Sequence, residues 1–206
     1  MATERDPSKF YKLNVVDSCA IWNILSSQLL YTTAHSVSCF FCCTDFVYYE
    51  CLYKPRTKIK DEDVALQERL RQEIQVGKFK NYHLDIEDLQ EIEVLQRRKN
   101  LGKGELASIA FAKKTSQAVL TDDRGARNLA EEVITHQRVQ TTAHLLGWLF
   151  FESFLSDGDL NRIIDEHKEY KGKLEKYFVI MYRRALDYRS KQYFSREIDS
   201  ADSVID

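Results

Sequence analysis

The chain has 206 residues, of which 44% are hydrophobic and 30% are charged, and its formal net charge is −2. This composition is typical of an ordinary globular protein with a sizeable core, and the nearly balanced charge argues neither for nor against a nucleic-acid partner. No apolar stretch approaches the roughly 20 residues that a membrane span needs, and the charged start is unlike a secretory signal. We therefore expect no membrane association and a cytoplasmic location.

The five cysteines crowd the first quarter of the chain and are odd in number, which also favours a reducing, cytoplasmic setting. They are Cys19, Cys39, Cys42, Cys43 and Cys51. Three of them offer half of a zinc site, but no second Cys or His pair follows at zinc spacing. We expect the apolar run at residues 39–43 to bury its cysteines as small hydrophobic side chains.

Taken in chain order, residues 1–10 are polar and predict an irregular arm. The apolar run at residues 12–16 predicts a short strand that ends at Asp17, and residues 18–25 continue as an amphipathic helix. A strand, an acid and a helix therefore follow one another directly.

A second strand is predicted over residues 37–43, and Thr44 is placed to cap a helix that begins at Asp45. Glu50 lies about two turns into this short, aromatic-rich helix. On its own, Glu50 would be interpreted as a solvent-facing glutamate. It becomes a site candidate when other acids reach the same place.

Apolar residues spaced three or four apart predict exposed helices at residues 61–76 and 85–99, which together form a helical insertion at residues 61–99. The next helix opens with Gly-Lys-Gly-Glu at residues 102–105, and its small apolar residues predict burial. Glu105 is either a partner of the helix dipole or a site residue. The two glycines indicate that another group approaches the backbone closely.

Residues 118–120 predict a buried parallel strand, because three apolar residues without alternation stand between a helical pattern and a polar break. Asp122 and Asp123 follow this strand directly, and a helix resumes at Arg124. The alternative to a functional site is that one acid simply caps that helix.

The remaining chain predicts an edge strand at residues 138–140, a helix over residues 144–154 capped by Thr142, and helices at residues 160–167 and 172–193. An apolar stripe on the last helix must be covered by the domain, which is the default, or by a second copy of the chain. The stripe consists of Leu174, Phe178, Met181, Ala185 and Tyr188.

The candidate acids all lie at the end of a predicted strand or in the helix that follows a strand or a loop. Carboxyl ends of parallel strands and the starts of the following helices face the same edge of a sheet, so the acids can converge there. Carboxylates gathered without a cation repel one another, and an all-oxygen set points to Mg²⁺ or Mn²⁺ as the balancing ion. Such clusters support hydrolysis of phosphodiester bonds. The set consists of Asp17, Glu50, Glu105, Asp122 and Asp123.

The order of these motifs resembles the PIN-domain nuclease family. The matching pieces are Val15–Ser18, Thr44–Glu50, Gly104–Ala107 and Val119–Arg124, and the resemblance covers roughly residues 12–155. It implies an α/β fold of three layers, α/β/α, around a mostly parallel sheet, to which this chain adds a helical C-terminal extension. It also implies a ribonuclease dependent on Mg²⁺ or Mn²⁺, often the toxin of a bacterial toxin–antitoxin pair.

By position, the resemblance implies that Asp17 and Glu105 bind the metal directly and that Glu50 is a ligand or orients water. Asp123 best matches the last acid of the family, with Asp122 as a neighbour that replaces or assists it in binding metal. The family often has Asp where this chain has Glu105, whose longer side chain can still reach an ion.

Substrate contacts are expected from cations close to the acids. Lys103, Arg124 and Arg127 can neutralise phosphates, and Thr121 either hydrogen-bonds a metal-binding carboxylate or a water molecule or caps the following helix. The basic residues between positions 54 and 60 and at positions 97–99 are interpreted either as solvated surface charges or as an extension of this track.

We expect a PIN-like nuclease domain at residues 11–155, a helical C-terminal extension at residues 156–194 and an acidic tail at residues 195–206. The leading functional prediction is a divalent-metal-dependent endoribonuclease, with RNA favoured over DNA. Its expected protein partners are an antitoxin-like protein or a second copy of the chain. The alternative is a catalytically weak PIN-like module that binds nucleic acid or a partner. A phosphatase with Asp17 as nucleophile is disfavoured, because Cys19 stands where its second Asp is needed.

Overall fold

The computed structural model describes residues 5–202, with side chains up to residue 193. Its centre is a five-stranded sheet in which every pair of neighbouring strands is parallel, in the order β3-β2-β1-β4-β5. The strands are β1 Leu13–Val16, β2 Phe40–Thr44, β3 Phe79–Tyr82, β4 Ala118–Leu120 and β5 Val139–Gln140. The register sets Val15 opposite Cys42 on one side and opposite Val119 on the other.

Helices cover both faces of the sheet, so the fold is a three-layer α/β/α sandwich. They are α1 Ser18–Leu25, α2 Gln28–Ser36, α3 Asp45–Leu52, α4 Asp61–Gln75, α5 Ile86–Arg98, α6 Lys103–Thr115, α7 Arg124–Val133, α8 Thr142–Phe151, α9 Asp159–Glu169 and α10 Glu175–Asp202. A 3₁₀ turn at His136–Arg138 leads into β5.

Alternation along the strands divides the interior into two cores, because successive side chains of a strand point to opposite faces. Val16 and Leu120 lie in the core shared with α1, α2, α8, α9 and α10. Val15 and Val119 lie in the core shared with α5, α6 and α7. All four side chains are fully buried, which accounts for the apolar runs that predicted parallel strands.

The segment at residues 61–99 differs from the helical insertion that the sequence predicts. Helices α4 and α5 are present, but strand β3 lies between them and pairs with β2. The strand was missed because only Phe79 of its four residues is buried, while Lys80 and Tyr82 face outward. An edge strand with polar side chains carries no apolar alternation, so its pattern is that of a loop.

The C-terminal extension packs on the domain. Phe178, Met181 and Ala185 of the predicted stripe are at most 2% exposed, and α10 lies along α8. A Cβ atom at Gly147 of α8 would lie 3.0 Å from the Cε atom of Met181, so the small residue allows the two helices to approach closely. The domain itself therefore covers the stripe, as the default interpretation expected.

Several boundaries differ from the predictions; β2, for example, is Phe40–Thr44 and not residues 37–43. The cap of α8 is Thr141, whose hydroxyl accepts a hydrogen bond from the His144 amide at 3.1 Å, and not Thr142. Helix α10 continues to Asp202, into the predicted tail, and residues 203–206 lie outside the described part of the chain. Residues 5–10 are irregular, as predicted for the arm, although Arg5 is buried and forms an ion pair with Glu131.

All five cysteines are free thiols, and four of them are buried. Cys39, Cys42 and Cys43 belong to the hydrophobic interior, as expected for small apolar side chains. Between residues 5 and 202 there is no helix with the length and apolar character that crossing a membrane requires.

We expect Phe178→Ala to lower the free energy of unfolding by about 3–5 kcal/mol, because it leaves a cavity beneath α10 next to the His167 ring, whose centre lies 5.1 Å from that of Phe178. Tyr177→Ala is the matched control, since this neighbouring ring is 41% exposed and its loss should change the stability by about 0.5 kcal/mol or less. Urea denaturation of both variants at two protein concentrations measures the effect. Equal stability of the two variants would show that the domain does not cover the stripe.

Candidate active site

Asp17 is held at the point where β1 meets β4. Its backbone amide donates to the Leu120 carbonyl at 3.3 Å, which joins the ends of the two strands. Its side chain caps α1 by accepting from the Ala20 amide at 2.8 Å, and it also accepts a hydrogen bond from the Thr121 hydroxyl. Asp17 is only 1% exposed. Thr121 therefore orients the acid, which is one of the two roles that the sequence left open.

Burial raises the pKa of the Asp17 carboxyl to about 7, because few water molecules solvate its negative charge. The hydrogen bonds from Thr121 and Ala20 act in the opposite direction, and the charges of Asp122 and Glu105 raise the pKa further. The fold thus holds a carboxylate among other carboxylates. A bound cation would favour its charged form.

Glu105 occupies the third position of α6, where its Oε2 atom accepts a hydrogen bond from the Gly102 amide at 2.9 Å. Partial burial raises the pKa of Glu105, and the charges of Asp123 and Glu50 add to this shift. Glu105 therefore caps the start of α6 and also lies near the other acids of the cluster.

Glu50 reaches the same edge from α3. Its Oε2 atom accepts a hydrogen bond from the Ser18 hydroxyl at 3.3 Å. A Cβ atom at Gly104 would lie 2.4 Å from that oxygen, so a side chain there would displace the carboxylate. The close approach that the glycines predicted is therefore made by Glu50 to Gly104.

The two acids after β4 have different surroundings. Asp122 accepts hydrogen bonds from the Thr142 amide at 3.0 Å, the Thr142 hydroxyl at 2.6 Å and the Asn23 side-chain amide at 2.8 Å. Asp123 caps α7 through one oxygen, Oδ1, which accepts from the Ala126 amide at 2.8 Å. Within the described residues, no donor contacts the second oxygen of Asp123. Asp123 is thus the more available of the two for a ligand.

The thiol of Cys19 reports on how closely the acids gather. Partial shielding from water raises its pKa to about 12, and four negative charges contribute to the shift. Those charges belong to Asp17, Asp122, Asp123 and Glu105. These four predicted acids, which lie on three separate segments, therefore meet around the first turn of α1.

The acidic side chains that the structure describes do not form a complete metal-coordination site. Among residues 5–202, no group of three or more His, Cys, Asp or Glu side chains is arranged to hold a metal ion as it stands. The chemistry of the donors nevertheless fits a hard divalent cation, since they are carboxylate oxygens and burial raises the pKa of two of them. The acids are gathered, but their oxygens do not yet share one coordination point.

The predicted cations lie in three different settings. Arg124 is exposed at the first position of α7. Lys103 is exposed at the start of α6 and lies 5.8 Å from the centre of the Phe46 ring. Arg127 is half-buried, and its guanidinium donates to the Asp122 carbonyl at 2.6 Å. Arg127 therefore stabilises the turn that presents the acids, while Lys103 and Arg124 are open to solvent.

Sequence reasoning missed the residues that position Asp122. Asn23 and Thr142 donate to its carboxylate from α1 and α8, and Ser26 links Asn23 to the C-terminal helices. The Ser26 hydroxyl donates to the Asn23 carbonyl at 2.7 Å and lies 2.6 Å from Nδ1 of His167. Nothing in their spacing could have indicated this network, because its members are far apart in the chain.

His167 is the deepest member of this network and is 1% exposed. Its Nε2 atom accepts from the Leu174 amide at 3.1 Å, so the ring proton lies on Nδ1 and is donated to Ser26. Burial lowers the pKa of His167 to about 4, which keeps the ring neutral. A Cβ atom at Gly172 would lie 2.1 Å from the ring, so only glycine fits there without movement. The turn between α9 and α10 is thereby fixed against α1.

The structure is thus an all-parallel α/β/α sandwich with acids gathered at the carboxyl edge of its sheet, which is where open α/β sheets bind their ligands. The DUF3368 family model, described as a PIN domain, matches residues 15–169, which is more than half of the chain. The chain therefore belongs to the PIN-domain family, whose members are generally nucleases and usually use divalent metals. The match ends with the last residue of α9. No curated protein matches the chain by sequence.

We expect Asp122→Asn to lower the melting temperature by about 4–8 °C, because an amide cannot accept all of the hydrogen bonds that Thr142 and Asn23 donate. Asp123→Asn should change it little, since Asn and Asp are comparable helix caps. Thermal denaturation followed by circular dichroism compares the two variants. Equal shifts would contradict the different roles assigned to these neighbours.

We expect the charge of Asp17 to cost the metal-free protein stability as the pH rises from about 4 to about 7, whereas the buried neutral rings of His144 and His167, whose pKa values are lowered to about 4, stabilise it increasingly over the same range. The folded state binds the Asp17 proton more tightly than the unfolded state, whose pKa is the ordinary 3.8. The destabilisation is absent below pH 4, is complete above pH 7, and amounts to at most about 4 kcal/mol, because one pKa unit corresponds to about 1.4 kcal/mol.

Asp17→Asn tests this expectation, because it removes the charge of Asp17 and leaves both histidines in place. In EDTA, the stability of the variant relative to the wild type should increase as the pH rises from about 4 to about 7. At pH 8, Mn²⁺ should stabilise the wild type but not the variant. A difference in stability between the two proteins that stays constant across this pH range would contradict the account.

Proposed function

We propose that the chain is a divalent-metal-dependent endoribonuclease that hydrolyses RNA phosphodiester bonds. The observation that carries the proposal is the burial of Asp17 near the acids Asp122 and Glu105. In the described part of the chain, the carboxylate of Asp17 accepts hydrogen bonds from Thr121 and Ala20 but from no basic side chain. Such an arrangement costs stability unless a cation occupies it. Membership of the PIN-domain family supports the nuclease assignment, and the resemblance favours RNA over DNA.

In this proposal, Asp17, Glu105 and Asp123 hold the ion, which is Mg²⁺ or Mn²⁺. The ion supplies a bound water of lowered pKa and charge stabilisation at the phosphate. Glu50 contacts the cluster through Gly104 and Ser18, and its carboxylate orients the attacking water or assists in metal binding. Asp122 keeps the strand-to-helix turn in place through Thr142 and Asn23.

The exposed side chains of Lys103 and Arg124 are proposed to bind the phosphate backbone of the substrate. Lys103 and Arg124 stand at the starts of α6 and α7, which are the helices that present Glu105 and Asp123. Positive side chains there offset the negative charge of the approaching backbone, so that the substrate phosphate can come near the acids. Arg127 contributes by holding the Asp122 carbonyl, and Thr121 by holding Asp17.

Biologically, the chain would act as the toxin of a toxin–antitoxin pair or as another bacterial stress effector, with an antitoxin-like protein as its inhibitor. This assignment rests on the family resemblance. A homodimer is a further proposal, although the apolar stripe of α10 does not support it, because α8 covers that stripe.

The second candidate function is a catalytically weak PIN-like module that binds nucleic acid or a regulatory partner. A specific observation favours it, namely that no described group of three acids is already arranged around one coordination point. In this case the acidic cluster would bind metal weakly, and the protein would bind RNA without cutting it.

We expect Asp17→Asn and Asp123→Asn each to reduce RNA cleavage by about 100-fold or more, because each removes a charged ligand of the ion. Purified full-length protein is incubated with labelled RNA and with single-stranded DNA in Mn²⁺, and parallel samples contain EDTA. Asp165→Asn is the matched control, since this carboxylate is exposed on α9 and is outside the cluster.

Metal-dependent cleavage that survives in both cluster variants would refute the assignment of the site. A folded wild type that binds RNA but never cuts it in Mg²⁺ or Mn²⁺ would instead favour the binding module.

A further inference from the structure

A groove adjoins the acidic cluster on the side of the C-terminal helices. It has a volume of about 370 Å³, and pockets of about 300–1,000 Å³ are typical of small-ligand sites. Its walls are α1, α4 and the turn that joins α9 to α10. Cys19, Asn23 and Asp122 are among its lining residues, so the groove adjoins the acidic cluster through Asp122.

Two aromatic rings line the groove, and each is accompanied by an arginine. The Arg56 guanidinium lies 5.8 Å from the centre of the Trp22 ring. The Arg69 guanidinium lies 5.3 Å from the centre of the Tyr170 ring and donates to its hydroxyl at 3.2 Å. Aromatic and guanidinium planes are the surfaces on which unpaired bases stack.

The groove is lined by charges of both signs. Its negative residues are Asp122, which is the neighbour in sequence of Asp123 and acts on the charge of Asp17, and Asp63, which forms an ion pair with Arg56 at 3.7 Å. Its outer part carries the exposed lysines Lys171 and Lys173, of which Lys171 forms an ion pair with Glu62. A strand with one phosphate at the acids would therefore place its next phosphate near these lysines.

The outer wall is built rigidly. Leu174 and Gly172 belong to the turn that the buried ring of His167 fixes against Ser26. The groove is therefore preformed rather than created by a ligand, which lowers the entropy lost on binding.

Resting on the proposed nuclease function, we propose that this groove binds the nucleotide next to the phosphate that is cut. The base lies against Trp22 and Tyr170, and the phosphate on its far side lies near Lys171 and Lys173. The C-terminal extension thus completes the substrate site of the PIN domain. Trp22 is the residue whose contact with the base can be measured directly.

The chain has two tryptophans, which makes the contact observable. Trp22 lines the groove, whereas Trp148 is 5% exposed and stacks on Phe10 at 5.3 Å. A ten-nucleotide single-stranded RNA is titrated into the full-length protein with Ca²⁺ present to neutralise the acids. We expect the RNA to quench the tryptophan fluorescence of the wild type. Trp22→Phe, which retains only Trp148, should show little quenching.

Affinity is measured by fluorescence anisotropy of the labelled RNA. Trp22→Ala should raise Kd by about 5- to 150-fold, which is the range that loss of one base–aromatic stack produces, and Trp22→Phe should restore most of the affinity. Tyr11→Ala is the matched control, because this ring is 39% exposed near the amino end of β1, at the opposite edge of the sheet. The melting temperature of each variant verifies its fold.

Unchanged fluorescence at saturating RNA, or equal Kd values for Trp22→Ala and Tyr11→Ala, would overturn the proposal. Cleavage in Mn²⁺ is measured on the same samples. Cleavage without quenching would refute the proposed nucleotide site in the groove and support the nuclease function. Quenching without cleavage would refute the nuclease function and support the groove as a nucleotide-binding site. A wild type that neither binds nor cuts RNA refutes both.

Discussion

The burial of the Asp17 carboxyl group beside other acids is the constraint on which the rest of this structure depends. Asp17 is almost fully buried at the carboxyl edge of the sheet, which raises its pKa, and the charges of nearby acids add to this shift. A fold can retain such a group only if rigid hydrogen bonds hold it in place or if a cation balances it. In this protein, hydrogen bonds from Thr121 and Ala20 hold the carboxylate of Asp17 in place. The neighbouring acids supply oxygen atoms that could bind a balancing cation.

The same constraint explains why the acids come from so many elements. Asp17 and Asp123 cap helices that follow β1 and β4, and Glu105 occupies the first turn of α6. At a helix start, backbone amides and the helix dipole favour negative charge, so each acid is partly compensated before any ion binds. Parallel strands then bring these helix starts to one edge. Helix capping and site formation are consequently performed by the same side chains.

Local patterns in the sequence were sufficient to predict the elements that carry the acids. Strand β4 occupies the predicted residues, and α1 begins directly after Asp17, as predicted. Strand β3 was missed because its single buried residue, Phe79, gives no periodic signal. The roles of Asp122 and Asp123 could not be separated, because that distinction depends on Thr142 and Asn23, which are distant in the chain.

The convergence of the acids could be predicted because it follows from topology, which a few strand and helix starts define. The precise placement of their oxygens could not, since it depends on long-range packing such as that of Glu50 against Gly104. The wall of the groove was missed for the same reason. Its shape is fixed by the fit of Gly172 to the His167 ring, and isolated residues of these types carry no signal in a single sequence.

The hydrogen bonds from His167 to Ser26 and from Asn23 to Asp122 have a genetic consequence. The last two helices cannot be regarded as a dispensable appendage of a domain that ends near residue 155. A premature stop codon between α8 and α9 would spare every acid of the cluster, yet it would remove the imidazole that holds the end of α1. Alleles truncated there should therefore resemble alleles that have lost an acid of the cluster.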